Sequence, residues 1–210
     1  MTDKRAIRAA ARAARATFVA GGAPGLAVPA EFEALLPSFV TPALSRGPAA
    51  LPGGNEEAGS RVKPGVTVRS PILATYAPLG DEADPAPLAR AAMAAGYTLA
   101  LPHVVDRATP IRFLAWHPED ALAAGPFGLR QPADGPAVAP DIILTPLVAF
   151  DAALNRVGQG AGHYDRAFAA FPDAKRIGVA YSVQQVAPLV PDPWDMPLDA
   201  IVTERGWLTR

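Results

Sequence analysis

Late in the chain a strongly apolar run, Ile142-Ile143-Leu144-Thr145-Pro146-Leu147, precedes a glycine-rich segment, Gly158-Gln159-Gly160-Ala161-Gly162. That segment enters a stretch with Tyr164, Ala167, Phe168 and Phe171 at helical spacing, ended by Pro172. A strand this apolar has no face to give to water, which places it in a sheet covered on both sides, and parallel sheets are the ones built that way. The rest of the second half keeps the alternation. Strands are expected over 72–77, 97–102, 111–116, 141–147, 176–181 and 198–203, and helices over 85–95 and 118–124. The pattern predicts an α/β fold: a mostly parallel sheet flanked by helices. At 210 residues the chain is long enough for one such domain and short for two.

The N-terminal part reads differently. Residues 3–20 predict one basic helix, with Thr2 or Asp3 to cap it and Gly21-Gly22 to stop it. Ile7, Ala11, Ala14 and Phe18 form an apolar stripe on it, with Arg5, Arg8, Arg12 and Arg15 beside the stripe. A second helix is expected over 29–36. From 42 to 66 the chain is rich in Pro, Gly and Ser without periodicity and reads as a long surface loop. The first helix, basic and alanine-rich, also has the composition of a mitochondrial transit peptide, although no serine precedes Ser38.

Composition removes several function classes. A formal net charge of -1 supplies no global field for nucleic acid or an anionic membrane, so any anion site has to be local. Without cysteine there is no disulfide, thiolate nucleophile or Cys-ligated zinc, and three histidines are too few for a multi-histidine metal centre. Oxygen-ligated magnesium stays open. No apolar run reaches the 18 residues or so of a membrane span, and the protein is expected in the cytoplasm.

A glycine-rich turn before a helix presents bare backbone N–H groups, and phosphate is the natural guest; it can also be a helix-entry turn with no ligand. Gly-Lys-Ser/Thr is absent, so this is not a Walker A loop. The acidic residue of a dinucleotide fold is missing near Ser182. Asp165, in the first turn of the helix, fits either a carboxylate favoured by the helix dipole or a magnesium ligand beside a bound phosphate. Tyr164 lies on the apolar stripe and reads as core or as ligand contact, whereas His163 lies off it.

These segments together resemble the 5-formyltetrahydrofolate cyclo-ligase family. Its late signature, an apolar strand with Pro-Gly-Leu-Ala-Phe-Asp followed by Arg-Leu-Gly-x-Gly-x-Gly-Tyr-Tyr-Asp, stands here as residues 142–151 and then 156–165. Lys4-Arg5-Ala6-Ile7-Arg8, the turn containing Asp81-Glu82, and Asp195-Met196-Pro197-Leu198-Asp199-Ala200 agree in order, with 42–66 as an apparent insertion. The resemblance implies a single cyclo-ligase domain on a scaffold related to sugar-phosphate isomerases and CoA transferases. It implies ATP held by Lys4, Arg5, Arg8, Arg156, Val157, Gly158, Gln159, Gly160, Ala161, Gly162, His163 and Tyr164. Folate contacts map to Ala77, Glu82, the 159–163 loop and Phe127, and Mg²⁺ to Asp165 and Asp195. Arg156, His163 and Tyr164 would position the reactants.

The implied reaction closes 5-formyltetrahydrofolate, with or without a polyglutamate tail, to 5,10-methenyltetrahydrofolate through an iminium phosphate. It needs no protein nucleophile, no nucleic acid and no membrane, and a monomer is expected. Two departures stand out: the tandem tyrosine of the signature is His163-Tyr164, and a basic residue some members carry inside the loop is Gln159 or Ala161 here. The rival readings are a folate- or nucleotide-binding protein without turnover, and an isomerase or CoA transferase on the related scaffold.

Overall fold

The structure, a computed structural model, describes residues 3–39 and 69–210; the expected 42–66 loop and Thr2 lie outside them. The helices are α1 (Lys4–Ala20), α2 (Ala30–Leu35), α3 (Ala86–Ala94) and α4 (His163–Ala170). The strands begin with β1 (Ile72–Ala74), β2 (Thr98–His103), β3 (Arg112–Ala115), β4 (Leu122–Ala124), β5 (Arg130–Pro132) and β6 (Ala137–Val138). They continue with β7 (Ile142–Pro146), β8 (Ala149–Phe150), β9 (Arg156–Val157), β10 (Lys175–Val179), β11 (Ala200–Thr203) and β12 (Gly206–Leu208).

Eight strands form one sheet in the order β12-β11-β10-β7-β1-β2-β3-β6. Its five central strands are parallel, as the sequence predicts, while β12, β3 and β6 pair antiparallel at the edges. Along β2-β1-β7-β10-β11 the chain starts at β1, steps to β2, and then crosses to the other side of β1. The crossovers after β1 and β7 therefore diverge, and a crevice opens at the carboxyl ends of those two strands.

The expected burial of residues 141–147 follows from the two-residue period of a strand. Ile142 and Leu144 enter the core under α2 and α3 with Phe32, Leu88 and Leu73. Ile143 points the other way, into a second core with Phe168, Ala74 and Ile201 under α4. No helix among the described residues is long and apolar enough to cross a membrane.

The first helix docks on neither sheet face. Asp3 caps it by accepting from the backbone N–H groups of Arg5 (2.9 Å) and Ala6 (3.2 Å). Ala11 packs with Val148, Ala149, Val157 and Leu189, and the Phe18 ring lies 5.4 Å from that of Tyr181. Ala14, expected in the apolar stripe, is exposed, and Arg15 is buried instead. Its Nη2 and Nε donate to Asp81 Oδ1 at 2.6 and 3.0 Å, in the turn after β1. The pair lets a cation occupy the packed face, because a buried guanidinium is tolerated only when a carboxylate and hydrogen bonds replace its water.

Two expectations need correction. The helix expected over 118–124 is a turn, closed by His117 N–H donating to Asp120 Oδ2 (2.8 Å), followed by β4, which pairs antiparallel with β5. Pairing with β5 outweighs the helix propensity of its alanines. The strand expected over 72–77 ends at Ala74; beyond it Tyr76 is buried in the core with its hydroxyl donating to Ala83 O (2.6 Å), and it borders the crevice together with Ala77.

Gly178 in β10 is required by packing. A Cβ there would lie 2.7 Å from both Leu147 Cδ2 and Leu198 Cδ1, and those side chains are themselves buried. Gly178→Ala is expected to cost about 1–3 kcal/mol through overpacking. Urea unfolding should show a lower midpoint at unchanged slope; an unshifted midpoint would mean that the leucines repack freely.

Candidate active site

The crevice opens into a cavity of about 970 Å³. That is at the upper end of the roughly 300–1,000 Å³ of small-molecule sites, which leaves room for more than one ligand. Tyr76, Ala77 and Pro146 line it at the ends of β1 and β7. Lys4, Arg8 and Arg12 of α1 form one wall, residues 158–165 cross the middle, and Val104, Arg107, Phe127 and Arg130 stand on the other side.

The crossing segment is held open by its glycines and by its neighbours. Gly160 and Gly162 have φ of 101° and 67°, the left-handed region that a side chain disfavours. Gly162 caps α4 without any side-chain acceptor. Among the described residues, no backbone N–H from Gly158 through Asp165 donates to a protein acceptor. The carbonyls are engaged instead: Arg8 Nε donates to Gly158 O (2.9 Å) and Arg166 Nη1 to Ala161 O (3.1 Å). The loop is thus pinned by its oxygens and leaves its N–H groups for a guest. Together with the positive end of α4, that arrangement is an anion cradle.

Charge supports the same guest. Seven basic side chains line the cavity against four acidic ones, a local excess of three positive charges in a chain whose net charge is -1. Lys4, Arg8 and Arg12 recur every four residues along α1, which stacks them on one face. Arg12 Nη2 reaches Gln159 Oε1; Gln159 Nε2 donates to Glu82 Oε1 (3.0 Å), and Glu82 Oε2 accepts from Leu79 N–H (3.0 Å). This chain of contacts ties α1, the glycine loop and the turn after β1 into one unit.

The two carboxylates expected to hold a metal both line the cavity, each beside a cation. Arg156 Nη2 donates to Asp165 Oδ1 (2.6 Å) and Nη1 to Met196 O (2.5 Å), while its guanidinium lies 4.6 Å from the centre of the Phe168 ring. Burial lowers the pKa of Arg156, partly offset by Asp165, and an arginine remains charged nonetheless. Lys4 Nζ donates to Asp192 Oδ2 and Asp195 Oδ2, both at 2.6 Å. Desolvation alone would raise the pKa of Asp195, but the Lys4 ammonium, the Asp192 N–H and the charge of Arg156 outweigh it and hold the carboxyl below its ordinary range. Asp165 Oδ2 and Asp195 Oδ1 have no hydrogen-bond partner among the described residues.

Three rings complete the lining. Tyr164 belongs to both alternatives: its ring packs 6.2 Å from Phe168 and also lines the cavity, and desolvation, followed by the charge of Glu82, pushes its pKa well up. His163 Nε2 lies 3.0 Å from Asp106 O, an acceptor only, so that nitrogen carries the proton. Phe127 is a non-glycine residue at φ 61°, an unfavourable conformation kept for a half-exposed ring that faces the cavity.

Of the residues expected from the sequence, the fold brings Lys4, Arg8, Ala77, Glu82, Phe127, Arg156 through Asp165, and Asp195 to this one cavity. Arg5 is exposed and does not line it; Arg12, also exposed, lines it instead. Arg107, Arg130, Arg166, Asp192 and Trp194 also line it without having been singled out in the sequence. The four-residue spacing of Lys4, Arg8 and Arg12 was a usable signal for Arg12. No local pattern marked Arg107 or Trp194.

Comparison with known proteins bears on this geometry. A model of the 5-formyltetrahydrofolate cyclo-ligase family matches residues 61–204, which include the glycine loop, Asp165 and Asp195. The chain is 31% identical over 168 residues to the 5-formyltetrahydrofolate cyclo-ligase of Escherichia coli (strain K12), covering 74% of this chain and 92% of that protein. It is 28% identical over 170 residues to that of Mycolicibacterium smegmatis, covering 75% and 86%. The solved structure of Aquifex aeolicus 5,10-methenyltetrahydrofolate synthetase superposes with a TM-score of 0.62 at 27% identity, over 99% of this chain and 93% of that one. A synthetase from Mycoplasma pneumoniae shares the fold, with a TM-score of 0.56 at 21% identity, over 97% of this chain and 99% of that one. With the family model spanning most of the sheet and the whole glycine loop, and a relative matched over nearly its full length, this chain belongs to the 5-formyltetrahydrofolate cyclo-ligase family of ATP-dependent ligases.

Proposed function

We propose that the cavity binds Mg-ATP and 5-formyltetrahydrofolate side by side and closes the folate to 5,10-methenyltetrahydrofolate, releasing ADP and phosphate. The observation that carries this reading is the row of unpartnered amides from Gly158 to Asp165, walled on one side by Lys4, Arg8 and Arg12. A triphosphate satisfies the amides and meets the cations, whereas Ala77 beyond the end of β1 and Phe127 across the loop offer the apolar surface that a pterin ring requires, and Glu82 in the turn after β1 offers an acceptor. All these groups come from one chain, and we read the working unit as a monomer.

The N5-formyl group is an amide, and resonance leaves its carbon a poor electrophile. Its oxygen is the richer site and attacks the γ-phosphorus as ADP leaves. The resulting iminium phosphate carries an activated carbon. N10 adds to that carbon and gives up its proton, and phosphate departs with the former formyl oxygen. Each step is displacement between bound partners, so the protein contributes alignment and charge stabilisation with no covalent link of its own. Arg156, locked by Phe168, Asp165 and Met196, supplies a fixed positive charge. His163 and Tyr164 border the place where the two reactants meet.

Asp165 and Asp195 fit magnesium by the chemistry of the donor set: two hard carboxylates, each with one oxygen free of protein hydrogen bonds. No group of three or more His, Asp or Glu side chains gathers as a metal site among the described residues. Such a poor protein set suits an ion that keeps waters and takes phosphate oxygens. When bound, the ion would neutralise charge on the transferring phosphoryl group.

Asp165→Asn is expected to reduce kcat by about 100-fold or more, the scale of losing one electrostatic contact made in the transition state. The appearance of the methenyl chromophore at limiting magnesium measures it, and a wild-type rate there would remove Asp165 from the site. The pair Arg8→Gln and Arg12→Gln, made together, should raise the KM for ATP roughly tenfold or more while moving that for the folate by less than about twofold. Equal shifts in both constants would reduce the wall to a support for helix docking.

A further inference from the structure

We propose that Arg107 recognises the glutamate end of the folate, its guanidinium pairing with a glutamate carboxylate at the mouth of the cavity. The inference rests on the folate reading above and deepens it. 5-Formyltetrahydrofolate is chemically divided: a neutral bicyclic ring and benzoyl linker at one end, and a glutamate with two carboxylates at the other. A site that holds the reacting ring beside a triphosphate has to place that dianion away from the phosphates, since the two repel.

The glycine loop separates two sets of cations. Its first half is bonded by α1, through Arg8 to Gly158 O and Arg12 to Gln159. Its second half is bonded to the loop after β2: His163 Nε2 donates to Asp106 O (3.0 Å), and Arg166 Nη2 to Arg107 O (2.8 Å). Arg107 therefore stands across the loop from the phosphate wall, with its backbone fixed and its side chain exposed at the cavity.

The charge states of its neighbours point the same way. Lys4, Arg15 and Arg156 each have a carboxylate partner, but among the described residues Arg107 pairs with none. Adjacent Asp106 forms no ion pair with it and is turned to its own loop, its Oδ1 accepting from the N–H groups of Ala108 (2.8 Å) and Thr109 (2.6 Å). The Arg107 guanidinium lies 5.4 Å from the centre of the Phe127 ring, which orients it while leaving its N–H edge free. Arg130 lines the same side, with one Nη2 bond to Leu122 O (3.2 Å), and adds to the positive potential there. An unpaired guanidinium laid on a strained aromatic residue suits a carboxylate carried just beyond an aromatic linker.

The test compares wild type, Arg107→Gln and Arg107→Lys on two substrates, 5-formyltetrahydrofolate and the primary amide of 5-formyltetrahydropteroate, which lacks the glutamate and carries no carboxylate. With the folate, Arg107→Gln should raise KM roughly tenfold at little cost in kcat, and Arg107→Lys should recover part of the loss. With that neutral amide, all three proteins should give the same KM. Equal KM changes on both substrates, or none on the folate, would overturn the assignment while leaving the cyclo-ligase reading intact. Failure of the wild type to turn over the folate with Mg-ATP would overturn both.

Discussion

Backbone N–H groups left without an acceptor are stable only where water or an anion replaces the missing partner, and the glycine loop holds a whole row of them. The loop cannot relax by folding its amides inward, because its carbonyls are already fixed: Gly158 O to Arg8 on one side, Ala161 O to Arg166 on the other. Both bonds run from a cation to a neutral oxygen, so each arginine holds the loop while keeping its charge. The same contacts that preserve the shape of the cradle also supply its positive potential. A chain with a net charge of -1 can in this way build a strong local anion site without becoming a general binder of polyanions.

The position of that site follows from the sheet. Placing β7 on the other side of β1 from β2 opens a gap at their carboxyl ends, and the chain fills it from three distances in sequence. The β8–β9 hairpin sets the start of the glycine loop. Asp151 fixes that hairpin by accepting from the N–H groups of Ala153 (3.0 Å), Asn155 (2.9 Å) and Leu189 (2.9 Å), so the aspartate of the signature is structural here. The first helix arrives from the far end of the chain and is anchored at both ends of its packed face, by Arg15 to Asp81 and by Lys4 to Asp192 and Asp195. This helix is built into the wall of the cavity.

What could be read from the sequence was whatever depends on short stretches of chain. The two-residue burial of β7, the glycine turn and the helix after it are local, and the parallel order follows from their alternation. Elements that owe their form to distant partners were not legible. The segment 118–124 becomes turn and strand because β5 lies beside it, and β8, β9 and β12 are too short to show a period. The face that α1 presents is likewise a tertiary property. Periodicity drew an apolar stripe through Ala14, but the burial of Arg15 on Asp81 rotated the packed face, which leaves Arg12 at the cavity and Arg5 away from it. Arg107 was invisible for the same reason, since its meaning comes from Phe127 and from Arg166, each brought to it by the fold.

The substitution of histidine for the first tyrosine of the signature also resolves in structural terms. An imidazole beside so many arginines would add positive charge if it titrated normally. Burial lowers the pKa of His163, and the charges of Arg166 and Arg107 lower it further, against the opposing effect of hydrogen bonds to the Asp106 and Arg107 carbonyls. The ring is therefore neutral near pH 7, with its proton on Nε2 and directed at Asp106 O. Its other nitrogen is left as an acceptor, a planar polar group that adds no charge to the phosphate side. A tyrosine in its place would present a neutral ring as well, so the exchange alters the position of one donor and keeps the electrostatics on which the transfer depends.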